Sequence, residues 1–190
     1  MIAILDYGSG NVNSVKNALN YLGKGSIVTS DKNEILKADK VIFPGVGAFG
    51  DVMKELKKRK LDNAIKKFIE SKKPFLGICI GLQALFEESE ESPKVKGLGI
   101  FKGKVLRFKQ GKVPQIGWNK ISSKSIGNGY AYFVNSYYAS PDDKKIIEST
   151  SDYYINFTAA IKKDNVFATQ FHPEKSGKFG LEILRKWLNC

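Results

Sequence analysis

Apolar residues fall into two alternating spacings through the first half of the chain. Ile2-Ala3-Ile4-Leu5 is a short continuous apolar run followed by a glycine-rich turn, Gly8-Ser9-Gly10, and reads as a buried strand. Val12, Val15, Ala18, Leu19 and Leu22 then recur at helical spacing, which predicts a helix from Asn11 to Leu22. Ser26-Ile27-Val28-Thr29 is a second strand, and Asp31 is placed to cap a short helix reaching Ala38. Lys40-Val41-Ile42-Phe43 is a third strand and runs directly into Pro44-Gly45-Val46-Gly47. Helical spacing resumes over 51–71 with a break expected near Lys60; Phe75-Leu76-Gly77-Ile78 is a fourth strand, and a helix is expected from Gly81 to about Glu88. Strands alternating with helices imply a parallel sheet covered on both faces.

The pattern changes in the second half. Val105-Leu106-Arg107-Phe108, Tyr130-Ala131-Tyr132-Phe133-Val134, Lys145-Ile146-Ile147 and Tyr153-Tyr154-Ile155-Asn156-Phe157 read as strands with few helices between them. Val166 to Phe171 is a strand that delivers His172, and a last helix is expected from Gly177 to Leu188. The fold class expected is therefore α/β: a mostly parallel central sheet with helices on both faces, plus an antiparallel strand section. No linker, repeat or low-complexity stretch divides the chain, so residues 1–190 are expected to form one domain.

Composition narrows the class. With 42% hydrophobic and 26% charged residues, the chain has ordinary globular values. No apolar run approaches the roughly 18 residues of a membrane helix, and the N-terminus lacks the basic region of a signal peptide. Two cysteines give no disulfide framework, and a free thiol suits a reducing compartment, so a cytoplasmic location is expected. The formal charge of +12 raises a nucleic-acid or other anionic partner as a possibility. Its lysines are scattered, however, and the densest run, Lys54 to Lys60, reads as the solvated side of a helix. The aromatics form no base-stacking series. Neither a membrane nor a nucleic-acid partner is expected.

Candidate chemistry centres on scarce residues. The chain has one histidine, His172, and two cysteines, one of them inside Gly77-Ile78-Cys79-Ile80-Gly81. Glycine two residues either side of a central residue, after a strand and before a helix, is the form of a nucleophile elbow. Backbone N–H groups at the start of the following helix would favour a thiolate and could meet an oxyanion. Taken alone, the motif is more often that of a buried structural cysteine. Pro44-Gly45-Val46-Gly47 adds a second glycine-rich turn at the end of a neighbouring strand, where open α/β sheets place their sites. His172 ends a strand, and Glu174 lies two residues on, where an extended stretch would point it the same way. Glu174 can then fix the imidazole tautomer while the other ring nitrogen faces Cys79.

Together, Gly77-Ile78-Cys79-Ile80-Gly81-Leu82-Gln83 and Gln170-Phe171-His172-Pro173-Glu174 resemble class I, triad-type glutamine amidotransferases, a flavodoxin-like fold. Asp6-Tyr7-Gly8-x-Gly10-Asn11, Pro44 to Phe49, Gly117-Trp118-Asn119, Tyr132 to Tyr137 and His172 to Ser176 are further similar to the glutaminase subunits of imidazole glycerol phosphate synthases. The resemblance implies hydrolysis of L-glutamine to glutamate and ammonia, with ammonia channelled to a (βα)8-barrel synthase subunit in a heterodimer serving histidine biosynthesis. It implies no metal or cofactor. It assigns catalysis to Cys79, His172 and Glu174, an oxyanion hole to Gly47 and the amide of Ile80, and substrate binding to Gln83 and Glu91. It places Asn11, Trp118, Asn119 and Lys175 at the partner interface. On its own, Glu91 would read as part of a solvated acidic turn, and Trp118 as a core aromatic.

Two positions depart from that family's pattern, which has histidine where this chain has Gln115 and Asn135. They raise a second acceptor for the ammonia, a sugar-amidating synthase of surface polysaccharide biosynthesis. A non-catalytic basic binding module on the same fold is a third reading, motivated only by the charge.

Overall fold

A computed structural model describes residues 1–8 and 11–190, so Ser9 and Gly10 of the expected first turn lie outside the described residues. The first half alternates as the periodicity requires: β1 (Ile2–Leu5), α1 (Val12–Tyr21), β2 (Ser26–Thr29), α2 (Lys32–Lys37), β3 (Lys40–Phe43), α3 (Phe49–Lys58), α4 (Leu61–Glu70) and β4 (Phe75–Ile78). Asp31 does cap α2, its carboxylate accepting from the Asn33 N–H at 2.7 Å. The expected break falls at Lys60, whose φ of 58° is left-handed and cannot continue a helix. The remaining elements are α5 (Ile80–Gln83), β5 (Glu88–Ser89), β6 (Gly103–Arg107), β7 (Gln115–Ser123), β8 (Gly129–Asn135), β9 (Tyr137–Pro141), β10 (Ile147–Asp152), β11 (Asn156–Lys163), β12 (Val166–Thr169) and α6 (Gly177–Leu188).

One nine-stranded sheet runs β2-β1-β3-β4-β12-β11-β10-β7-β8, and β5-β6-β9 form a smaller three-stranded sheet. From β2 to β12 every pairing is parallel, and from β12 to β8 every pairing is antiparallel. β12 is thus the seam between the two halves, and it is the strand that carries His172 at its end. Strand side chains alternate between two cores: Ala3, Leu5, Val41, Phe43 and Phe75 pack under α2, α3 and α4, whereas Ile2, Ile4, Ile42, Leu76 and Ile78 pack under α1 and α6.

Three expectations are corrected. The helix expected from Gly81 to Glu88 stops at Gln83. The carbonyls of Ala84, Leu85 and Phe86 are taken instead by the N–H groups of Leu98, Ile100 and Gly99, which turns the chain and drives Leu85 and Phe86 into the core. Lys145-Ile146 is not strand but a single 3₁₀ turn, Lys144–Ile146, capped by the Asp143 carboxylate. Tyr153-Tyr154-Ile155 is a turn, with Tyr154 at φ 58°, and the strand begins only at Asn156.

The elbow is built by close approach. A Cβ on Gly81 would lie 2.1 Å from the Phe43 carbonyl oxygen, and one on Gly77 would lie 2.7 Å from the Gly81 carbonyl oxygen. Both obstacles are backbone, which cannot rotate away. Gly81→Ala is expected to destabilise by about 1–3 kcal/mol, a fall of several degrees in thermal midpoint. Gly25→Ala, where nothing lies within 4 Å of the added atom, should leave the midpoint unchanged or slightly raised.

Candidate active site

Cys79 sits at the turn between β4 and α5 with φ 54° and ψ −106°, outside the usual space of a non-glycine residue. Its N–H donates to the Thr169 carbonyl at 2.7 Å, which ties the elbow to the end of β12. Three residues beyond Thr169, His172 is held from several sides. Its N–H donates to the Tyr132 carbonyl at 3.0 Å, and its own carbonyl accepts from Ser176 Oγ at 2.6 Å. Ser176 Oγ in turn accepts from the Tyr132 N–H at 2.9 Å. Strand β8 therefore fixes the histidine backbone.

The three side chains meet. The imidazole borders the same cavity as Cys79, close enough for the two groups to interact, and its Nδ1 lies 2.8 Å from Glu174 Oε1. Both His172 and Glu174 are buried, at 1% and 0% side-chain exposure. Burial alone pushes the imidazole towards its neutral form. Its interactions with Cys79 and Glu174 outweigh that and hold its pKa at about 10, above the ordinary 6.5. The arrangement is that of an imidazolium between the Cys79 sulfur and a carboxylate.

A cavity of about 280 Å³ opens beside the sulfur. Gly47, Ile80, Gln83, Glu91 and Lys175 line it with Cys79 and His172. Gly47 has φ 127°, open to glycine and strained for other residues. The loop before it presses on the elbow: a Cβ on Gly45 would lie 2.3 Å from Ile80 Cγ2 and 2.1 Å from the Tyr7 hydroxyl. The two glycine-rich turns thus share one wall. Ile80 begins α5; the Cys79 carbonyl takes the Leu82 and Gln83 N–H groups, which leaves those of Ile80 and Gly81 at the start of the helix. A carbonyl carbon placed against the sulfur would have its oxygen close to such donors.

Glu91 is not a solvated turn residue, because its Oε2 accepts from the Phe49 N–H at 2.6 Å and the side chain lines the cavity. Gln83 Nε2 donates to the Tyr137 carbonyl and to Gln170 Oε1 at 3.1 and 3.0 Å. Asn11 reaches the site through Glu174, its Nδ2 lying 2.6 Å from Oε1. Trp118 and Asn119 stay outside the cavity. Trp118 is exposed on the outer face of β7, whereas Asn119 alternates to the other face and donates to the Asp152 carbonyl at 3.0 Å.

Sequence reasoning gave no role to Gln170. It is fully buried, and its Nε2 lies 3.5 Å from Cys79 Sγ. A polar residue inside the apolar run Val166 to Phe171 was the available signal. Val134, Asn135, Ser136 and Tyr137, at the junction of β8 and β9, also line the cavity. They face it through a strand pairing that no local pattern reveals.

The glutamine amidotransferase class-I family model matches residues 3–189, and the chain belongs to that family. It is 48% identical to the imidazole glycerol phosphate synthase subunit HisH of Caldanaerobacter subterraneus, over 98% of this chain and 97% of that protein. Identity to the subunit of the same name from Methanocaldococcus jannaschii is 46%, over 99% and 98% of the two chains. The chloroplastic imidazole glycerol phosphate synthase hisHF of Arabidopsis thaliana is 46% identical over all of this chain, which spans 34% of that longer protein. A crystal structure of a glutamine amidotransferase superposes with a TM-score of 0.82 at 18% identity, covering 99% of this chain and 97% of its own. The glutaminase domain of Trypanosoma brucei CTPS with bound acivicin gives 0.68 at 14% identity, covering 99% and 93%. These two superpositions speak to the fold.

His172 is the chain's one histidine, so its ring nitrogens give a unique NMR signal. With a folded-state pKa near 10 against 6.5, its contribution to stability is complete below about pH 6.5 and is lost as pH rises through about 10. The imidazolium is expected to persist at pH 8, and Cys79→Ala should lower the midpoint. A wild-type midpoint near 6.5 would contradict the geometry.

Proposed function

We propose that the protein is the glutaminase subunit of an imidazole glycerol phosphate synthase, and that Cys79, His172 and Glu174 perform the hydrolysis. The buried grouping of sulfur, imidazole and carboxylate beside a cavity of about 280 Å³, with the imidazole hydrogen-bonded to the carboxylate, is the observation that carries the chemistry. The Cys79 thiolate attacks the side-chain amide carbon of L-glutamine. The oxygen of the tetrahedral intermediate is met by the Gly47 and Ile80 amides. His172 gives its proton to the departing nitrogen, ammonia leaves, and a γ-glutamyl thioester remains on Cys79. His172 then takes a proton from water, which attacks the thioester and frees glutamate and the thiolate. Gln83 and Glu91 hold the amino-acid end, the Glu91 carboxylate being suited to the α-ammonium group.

Relatives 44–48% identical along nearly their whole length support imidazole glycerol phosphate formation over the sugar-amidating alternative. The partner is a (βα)8-barrel synthase subunit that receives the ammonia. Exposed Ile116 and Trp118 on β7 lie opposite Val134 and Tyr132 on β8, an apolar face on which such a subunit could dock. Val134 also lines the cavity, so docking there would cover its mouth. In the plant relative, more than half of the polypeptide lies outside the matching region, as expected if both activities share one chain. We place the protein in the cytoplasm, consistent with a free Cys79 thiol; among the described residues no helix is long and apolar enough to cross a membrane.

Glutamine turnover measured with and without a barrel synthase subunit tests this reading. The isolated chain should be weakly active and the complex at least tenfold faster, because docking closes the cavity and sets the Pro44–Gly47 turn. Cys79→Ala should abolish glutamine hydrolysis while free ammonia still supports the partner's reaction. Retained hydrolysis would remove Cys79 from the mechanism, and equal rates with and without partner would reject the coupling.

A further inference from the structure

Asn11 stands at the N-cap of α1, a position where asparagine ordinarily accepts a hydrogen bond from the first helical turn. Here its side chain makes no such bond. Its Nδ2 turns away from the helix and donates to Glu174 Oε1 at 2.6 Å, bridging 163 positions of sequence. That same oxygen accepts from His172 Nδ1 at 2.8 Å. Glu174 Oε2 is buried and has no partner among the described residues. Helix α1 itself packs against the Pro173–Lys175 turn, so the positive end of the helix lies at the carboxylate.

We infer that Asn11 is a positioning residue that fixes the Glu174 carboxylate so that His172 stays aimed at Cys79; the inference rests on the glutaminase reading of the site. A carboxylate held only by His172 could turn about its own axis, swapping a bonded oxygen for a free one. The Asn11 donor stops that rotation by gripping the oxygen already used. It also supplies a neutral donor to a buried negative charge without adding a proton to the row. A local cap has been given up for a distant contact, and the contact is with the orienting member of the triad.

Two variants separate this role from a structural or interface role. In Asn11→Ala the carboxylate loses its second donor, and kcat in the saturated complex should fall roughly ten- to hundredfold with little change in KM. In Asn11→Asp a carboxylate faces Glu174 at neutral pH and repels it. Protonation on acidification restores a donor, so the ratio of variant to wild-type kcat should rise as pH falls. The His172 Nδ1 proton resonance of the free chain should shift in both variants while the melting midpoint shows the fold intact. An unchanged resonance, with kcat unchanged at saturating partner and only partner affinity altered, would overturn the inference. Absence of glutamine hydrolysis with any partner would defeat the functional reading, and the resonance comparison would still decide the role of Asn11.

Discussion

The site depends on a backbone packing constraint: Cys79 can sit at φ 54° because Gly77 and Gly81 leave room where any side chain would strike backbone. A strained residue of this kind costs on the order of 1–3 kcal/mol. The surrounding packing offsets it, with β4 between β3 and β12 and the Cys79 N–H bonded to Thr169. The same close approach brings the Phe43 carbonyl, and with it the start of the Pro44–Gly47 turn, onto the elbow. The candidate nucleophile, the candidate oxyanion donors and the cavity therefore come from one set of contacts.

Electrostatics then acts on that frame. Burying an unpaired imidazolium would cost several kcal/mol. His172 instead sits between two groups that favour its charge, which is why its pKa is held at about 10 despite burial. Glu174 is buried too, and its charge is matched by donors from His172 and Asn11 on a single oxygen. Each segment bearing one of these groups is anchored to a different strand or helix: the elbow to β12, His172 to β8, and Asn11 to the start of α1. Charge placement and strand order are the same fact seen at two scales.

Much of this was legible along the chain. The first-half periodicity located β1 to β4 and the helices between them, because buried parallel strands are short apolar runs. The elbow and the His172-Pro173-Glu174 segment were legible because their chemistry is local. Strands β7 and β9 were not. In β7 the inward positions include the polar Gln115 and Asn119, while the outward ones carry Ile116 and Trp118, so the usual alternation is inverted. The truncation of α5 was hidden because its carbonyls are taken by residues beyond the next turn. Gln170 on Cys79, Glu91 on Phe49 and Asn11 on Glu174 are contacts across 91, 42 and 163 positions, set by topology alone.

Covalent labelling by a glutamine-like electrophile tests the central claim, that the imidazole-paired thiol of Cys79 is the nucleophile, most directly. Cys190 is the better control for being exposed, whereas Cys79 is buried and accessible only through the cavity. Mass mapping after treatment of the synthase complex with a glutamine chloroketone or diazoketone analogue should find the adduct on Cys79. Glutamine should protect against it, and His172→Ala should slow it strongly. Labelling at Cys190 instead, or labelling of Cys79 at an unchanged rate without the imidazole, would contradict the account.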